Sequence, residues 1–170
     1  MLNTFKTTAG YLLSLVSKHT PLKFYRQELS GIYNYLRVSD QLSTSGQPSE
    51  SQLHLIKAAG FTHVINLAPH HAENALPDEA NLVARLGMNY HHIPVNFQAP
   101  EEDKFHAFAA LMNALQREKV WLHCAANMRA SAFLYRYRRD MIGEDEQQAR
   151  QRMALIWEPF GAWKPFLKQR

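Results

Sequence analysis

The chain carries a single cysteine among its 170 residues. No disulfide can close within it, and nothing in its cysteine usage argues for an oxidising compartment. It also lacks any apolar run approaching the roughly 20 residues needed to span a membrane. Met1 to Val16 holds a lysine and a short apolar run from Ala9 to Val16. Ser14 interrupts that run and no clear small-residue cleavage site follows, so a secretory signal is a weak reading and the cytoplasm is the default compartment. No internal repeat or low-complexity tract is visible. Metal-ligand spacing is missing as well: nine histidines are present, yet no HExxH or Cys/His ligand pattern appears. His70-His71 and His91-His92 are adjacent pairs, and neighbours on a strand point to opposite faces. No metal and no cofactor is expected.

What is present suits a soluble globular domain. Hydrophobic residues make up 46% of the chain and charged residues 20%, which argues against disorder. The length allows one domain with a single substantial core. The net charge of +4 favours anionic partners such as phosphates or sulfates. Arg136, Arg138, Arg139, Arg150 and Arg152 crowd the last third and resemble a nucleic-acid stripe, but Asp140, Glu144, Asp145 and Glu146 interrupt it. Nucleic acid is therefore not the expected partner.

Residues 1–31 read as an N-terminal extension, helical or partly ordered, punctuated by Pro21 and Gly31. Residues 32–170 form the expected domain. From Tyr33 on, strand-like and helix-like segments alternate. Ser43–Gln47 reads as a strand. Ser49 can cap the next helix, with Gln52 completing a capping box, and Gly60 ends it. Thr62–Leu67 and Asn89–Val95 are strand candidates, with an amphipathic helix between them over Asp78–Leu86. Pro100 precedes a long helix over Glu101–Gln116, whose Phe105, Phe108, Ala109 and Met112 fall on one core-facing side. Val120–His123 is a short apolar strand, and helices follow over Ala130–Met141 and Glu144–Trp157. The tail, with Trp157 and Trp163, is expected to pack over the domain. Such alternation predicts an α/β fold: a largely parallel central sheet with helices on both faces. Ligands in such sheets bind at the carboxyl ends of the strands, where Cys124 sits.

Chemistry concentrates in His123-Cys124-Ala125-Ala126-Asn127-Met128-Arg129-Ala130-Ser131. A strand, a tight loop and a helix start can aim the amides of residues 125–130 inward as an anion nest, with the helix N-terminus adding positive partial charge. Arg129 supplies a planar fork for a tetrahedral oxyanion. Positive surroundings favour the thiolate of a cysteine, which is its nucleophilic form. Ser131 can donate to the sulfur, and His123 can orient the loop. A lone cysteine at a strand end is otherwise a small buried hydrophobe. On the helix that follows, a solvated face is the plain account of Tyr135 to Arg139, and a surface for acidic substrates is the alternative.

This stretch resembles the signature of the cysteine-dependent protein tyrosine phosphatases. Ser45-Gly46-Gln47-Pro48, Ala58-Ala59-Gly60-Phe61, Val64-Ile65-Asn66-Leu67 and His92-Ile93-Pro94-Val95 are similar to a bacterial, dual-specificity-type group of that superfamily. The resemblance covers about residues 33–166. It implies phosphate-monoester hydrolysis through a phosphocysteine, with a phosphorylated protein or a small phosphate ester as partner. It implies Cys124 and Arg129 as catalytic residues and the Ala125, Ala126, Asn127, Met128, Ala130 and Ser131 positions as substrate-binding.

Two departures matter. Four residues separate Cys124 from Arg129, one fewer than in the family loop, so Ala130 falls at the family's arginine position and Asn127 at its glycine. The family also implies an aspartate after the strand ending Pro94-Val95, where Asn96 stands and cannot donate a proton efficiently. Glu101, Glu102 and Asp103 lie nearby and either replace it, Asp103 foremost, or only decorate a helix N-terminus. Two alternatives stay open: a rhodanese-like sulfurtransferase using a Cys124 persulfide, and a phospho-ligand-binding module without turnover.

Overall fold

A computed structural model describes residues 2–18 and 28–170, with side chains for 3–11 and 28–170. The sequence feature at Pro21 lies outside the described residues. In chain order the elements are α1 (Leu2–Lys18), a 3-10 turn (Leu29–Gly31), β1 (Leu36–Arg37), β2 (Leu42–Ser45) and α2 (Glu50–Ala58). There follow β3 (His63–Asn66), α3 (Glu79–Arg85), β4 (Asn89–His92) and α4 (Glu102–Ala114). The chain closes with β5 (Val120–His123), α5 (Met128–Asp140), α6 (Glu146–Ala154) and α7 (Trp163–Lys168).

The five strands form one sheet in the order β1-β2-β5-β3-β4. Only β1, a short edge strand that the alternation pattern did not reveal, runs antiparallel. The other four are parallel, so their carboxyl ends share one edge of the sheet. Their last residues align in a row, Ser45 beside His123, His123 beside Asn66 and Asn66 beside His92. β5 is central and buried on both faces, as its unbroken apolar run Val-Trp-Leu requires.

Two cores cover the two faces. Trp121 and Val64 pack against Leu53 and Ile56 of α2 and Leu82 and Val83 of α3. Leu122 and Ile65 meet the aromatic stripe of α4, with α5, α6 and α7 completing that layer. Local chemistry sets the boundaries. Ser49 and Gln52 form the capping box at the start of α2. Gly60, Gly87 and Gly143 all adopt positive φ where helices end. The tail packs as α7, a helix the sequence reading did not assign, with Trp163 donating to the carbonyl of Phe97 at 2.9 Å.

The arginines of α5 correct an expectation. Arg136 is only 1% exposed and belongs to the core, not to a solvated or substrate-facing side. Its guanidinium stacks on Phe105 and Phe166, 4.0 and 4.6 Å from their centroids, and bonds Glu102 at 2.6 Å. Arg139 bonds Asp140 and holds the tail through the carbonyl of Leu167 at 2.5 Å. Arg138 pairs with Glu144. The acids that interrupt the basic stretch are its partners inside the fold. Replacing Arg136 by alanine removes a stacked buried cation and leaves Glu102 without it, while Asp140 keeps Arg139. The expected cost is about 3 kcal/mol, read as a lower midpoint in urea unfolding.

Candidate active site

β5 delivers Cys124 to the strand-end edge of the sheet, where it is fully buried. Neighbouring segments hold the loop after it by its carbonyls. The Ala125 carbonyl accepts from the Gln47 amide at 3.2 Å and from Asn74 Nδ2 at 2.9 Å. The Ala126 carbonyl accepts from Asn34 Nδ2 at 3.1 Å. In a trans peptide the N–H points opposite to the C=O. The amides of Ala126 and Asn127 therefore face away from these partners, as an anion nest needs.

Asn127 sits at the turn with φ 66°, in the left-handed region, and caps α5 by its backbone. Its fully buried side chain is fixed by donating to the Asn34 carbonyl at 2.7 Å and to Thr44 Oγ1 at 2.9 Å. An asparagine here tolerates the turn and also bolts it to the strand beside it. Because Asn127 turns the chain, α5 begins at Met128, two residues earlier than the sequence pattern suggested. Arg129 thereby stands in the first turn of the helix. Its guanidinium lies over Phe97, 5.2 Å from the ring centroid, and its Nε is buried with no hydrogen-bond partner among the described residues.

Beneath the loop lies a charge cluster that sequence reasoning missed. Glu79, 4% exposed, accepts from Gln47 Nε2 at 2.8 Å, Asn66 Nδ2 at 2.9 Å and Tyr90 Oη at 3.2 Å. His123 Nε2 stands 3.2 Å from Oε1, the oxygen that also accepts from Gln47. Burial pushes the carboxyl up, but the His123 ring and the donated bonds outweigh it and hold Glu79 below the usual carboxylate range. Glycine at 46 has a spatial reason: a Cβ there would stand 2.7 Å from Tyr33 Cδ1 and 3.0 Å from the Ala125 carbonyl.

The remaining predicted residues fall as follows. Ser131 Oγ donates to the Met128 carbonyl at 3.1 Å, so in this arrangement its hydroxyl serves the helix and not the sulfur. Ala130 is buried in the core. Asn96 is exposed, its Oδ1 accepting from the Gln98 amide at 2.9 Å in a local turn. Glu102 is engaged by Arg136. Asp103 has a 73% exposed side chain 3.8 Å from Lys104 Nζ. Four of the histidines stack in two pairs: His63 on His91 and His70 on His92. Among the described residues no three His, Cys, Asp or Glu side chains are grouped to hold a metal.

A His-Cys pair at the end of a central parallel strand, followed by an arginine in the first turn of the next helix, is the arrangement of a phosphatase-like protein of the cysteine-dependent class. The chain belongs to the family described as DSP-PTPase phosphatase fused to NAD+ kinase, whose model matches residues 33–162. It is similar to a DUF442 candidate phosphatase from Shewanella putrefaciens, with 37% identity over 82% of this chain and 92% of that one and a TM-score of 0.74. It shares the fold of TpbA from P. aeruginosa, crystallised with pTyr, at 20% identity over 71% of each chain and a TM-score of 0.59. It is also 31% identical over 98 residues to the beta-lactamase hydrolase-like protein of Agrobacterium fabrum, spanning 56% of this chain and only 22% of that relative's length.

Glu79→Gln keeps the shape of the side chain and removes its charge. It is expected to cost about 2 kcal/mol at neutral pH, because one of the buried oxygens that accept from Gln47, Asn66 and Tyr90 becomes an amide nitrogen. A carboxyl held low in the folded state contributes stability above its unfolded pKa and loses it as pH falls through the folded one. Wild type should therefore lose more stability than Glu79→Gln as pH drops below about 4.3, measured by urea titrations at a series of acid pH values.

Proposed function

We propose that this protein is a cysteine-dependent phosphatase of phosphate monoesters, working through a phosphocysteine at Cys124. The observation that carries the reading is the buried Nε of Arg129, without a hydrogen-bond partner among the described residues, on the helix that follows a loop whose carbonyls are held by neighbouring segments. A buried cationic donor without an acceptor is costly, and an oxyanion would supply one.

In the first step the Cys124 thiolate attacks phosphorus, an S–P bond forms and the ester P–O bond breaks. The loop amides and Arg129 balance the charge on the equatorial oxygens. The leaving oxygen takes a proton from an acid, which we assign to Asp103 in the first turn of α4, since Glu102 is spent on Arg136 and Asn96 is neutral. In the second step water attacks the phosphocysteine, its proton passes back to the carboxylate, and phosphate leaves as the thiolate returns. Phosphotyrosine and phosphoserine or phosphothreonine proteins, or small phosphate esters, are the proposed substrates, and the cytoplasm the proposed compartment.

The exposure of Asp103 favours one second reading, a phospho-ligand module that binds without turnover. Hydrolysis of p-nitrophenyl phosphate decides between them. Cys124→Ser is expected to lower turnover by about a thousandfold or more while leaving phosphate binding. A wild type that binds phosphate with no turnover at any pH supports the module instead.

Asp103→Asn is expected to slow phenyl phosphate, a poor leaving group, by about a hundredfold, and p-nitrophenyl phosphate much less. Equal rates for both esters would move the proton donor elsewhere.

A further inference from the structure

Asn34 stands where three parts of the molecule meet the loop after Cys124. The residue before it, Tyr33, accepts from the Gly46 amide at 2.7 Å through its carbonyl, which pins this segment to the chain after β2. Asn34 has φ 50° and Asn127 has φ 66°, so both lie in the left-handed region. The two are bonded in both directions. Asn34 Nδ2 donates to the Ala126 carbonyl at 3.1 Å, and the Asn34 carbonyl accepts from Asn127 Nδ2 at 2.7 Å. A side-chain amide has two hydrogens to donate. The other one on Asn34 goes to Thr7 Oγ1 on α1, at 3.1 Å. The Thr7 hydroxyl donates onward to the Ile156 carbonyl, and Asn3, a turn earlier on α1, donates to the Ala154 carbonyl at 2.7 Å. The family-matched residues begin at 33, so a helix outside them anchors the side chain that holds the loop.

The Ala126 carbonyl and the Asn127 N–H belong to one trans peptide and point in opposite directions. Whatever fixes the carbonyl therefore fixes the N–H. Donors aimed in advance stabilise an oxyanion better than donors that must first turn toward it. Asparagine joins two properties that position 34 uses, tolerance of left-handed backbone and a donor with two hydrogens. Glycine shares the tolerance but has no donor. Aspartate shares the shape but, when ionised, can only accept.

We propose that Asn34 is a positioning residue for oxyanion binding: by holding the Ala126 carbonyl it keeps the Asn127 amide turned toward the anion. The proposal rests on reading Cys124 to Ser131 as a phosphate cradle.

The test is calorimetric titration of inorganic phosphate into the full chain at neutral pH, as wild type, Asn34→Gly, Asn34→Asp and Asn3→Ala, with thermal melts to follow folding. Asn34→Gly keeps the backbone conformation and is expected to weaken phosphate about fivefold. Asn34→Asp sets a carboxylate against the Ala126 carbonyl and is expected to weaken it more, and it reports the same contact should the glycine variant not fold. Asn3→Ala loosens α1 at a contact that does not involve the loop, and is expected to lower the melting temperature and leave phosphate affinity at the wild-type value. Wild-type affinity in folded Asn34→Gly or Asn34→Asp would overturn the proposal. So would a loss in Asn3→Ala equal to theirs, because the effect would then belong to helix docking. A wild type that binds no phosphate would overturn it together with the cradle. The expected affinities without ester hydrolysis would support the positioning role and remove only the catalytic reading.

Discussion

Glu79 is a buried carboxylate, and a buried charge without partners costs several kcal/mol. The fold answers by drawing donors from three segments onto one side chain, Gln47 after β2, Asn66 at the end of β3 and Tyr90 in β4, and by setting His123 at the end of β5 against it. Each of those residues lies at or near the strand-end edge. Satisfying the carboxylate therefore fixes the spacing of the strand ends and the direction in which His123 points. Because strand side chains alternate, His123 on the α3 side sends Cys124 to the other side, into the layer of α4 and α5. The side to which Cys124 turns is in this sense tied to the side on which His123 meets Glu79.

A second constraint acts on the loop. A short chain turning from a strand into a helix must place its carbonyls somewhere. Here they are taken up by Gln47, Asn74 and Asn34, which come from segments far apart in sequence. The amides are left facing the opposite way by the geometry of the peptide bond alone. Asn127 makes the turn affordable, since it tolerates left-handed backbone and its amide group secures the turn to Thr44. The early helix start then moves the arginine's root onto α5.

The aromatic layer ties this loop to both ends of the chain. Phe97 contacts Arg129 and packs with Trp157, Phe160 and Trp163. The tail thus backs the segment that faces the arginine, and α1 reaches the same region from the other terminus through Thr7 and Asn34.

Much of this was legible in the order of the residues. Ser49 with Gln52, the glycines ending α2, α3 and α5, and the apolar run Val120 to Leu122 are local signals, and each produced the element it announced. The His-Cys start of the loop and its arginine were visible for the same reason, because strand, loop and helix start are contiguous. What needed the tertiary structure was every pairing across distance. Glu79 drew no notice until burial set it against His123, and Arg136 read as a surface charge until it stacked between Phe105 and Phe166. Tyr33, Asn34 and Asn74 carry no motif at all. Local propensity acts within a turn or two of chain, whereas burial, charge pairing and the lining of a site depend on which distant segments the sheet order brings together, and that order is decided only when the two cores close.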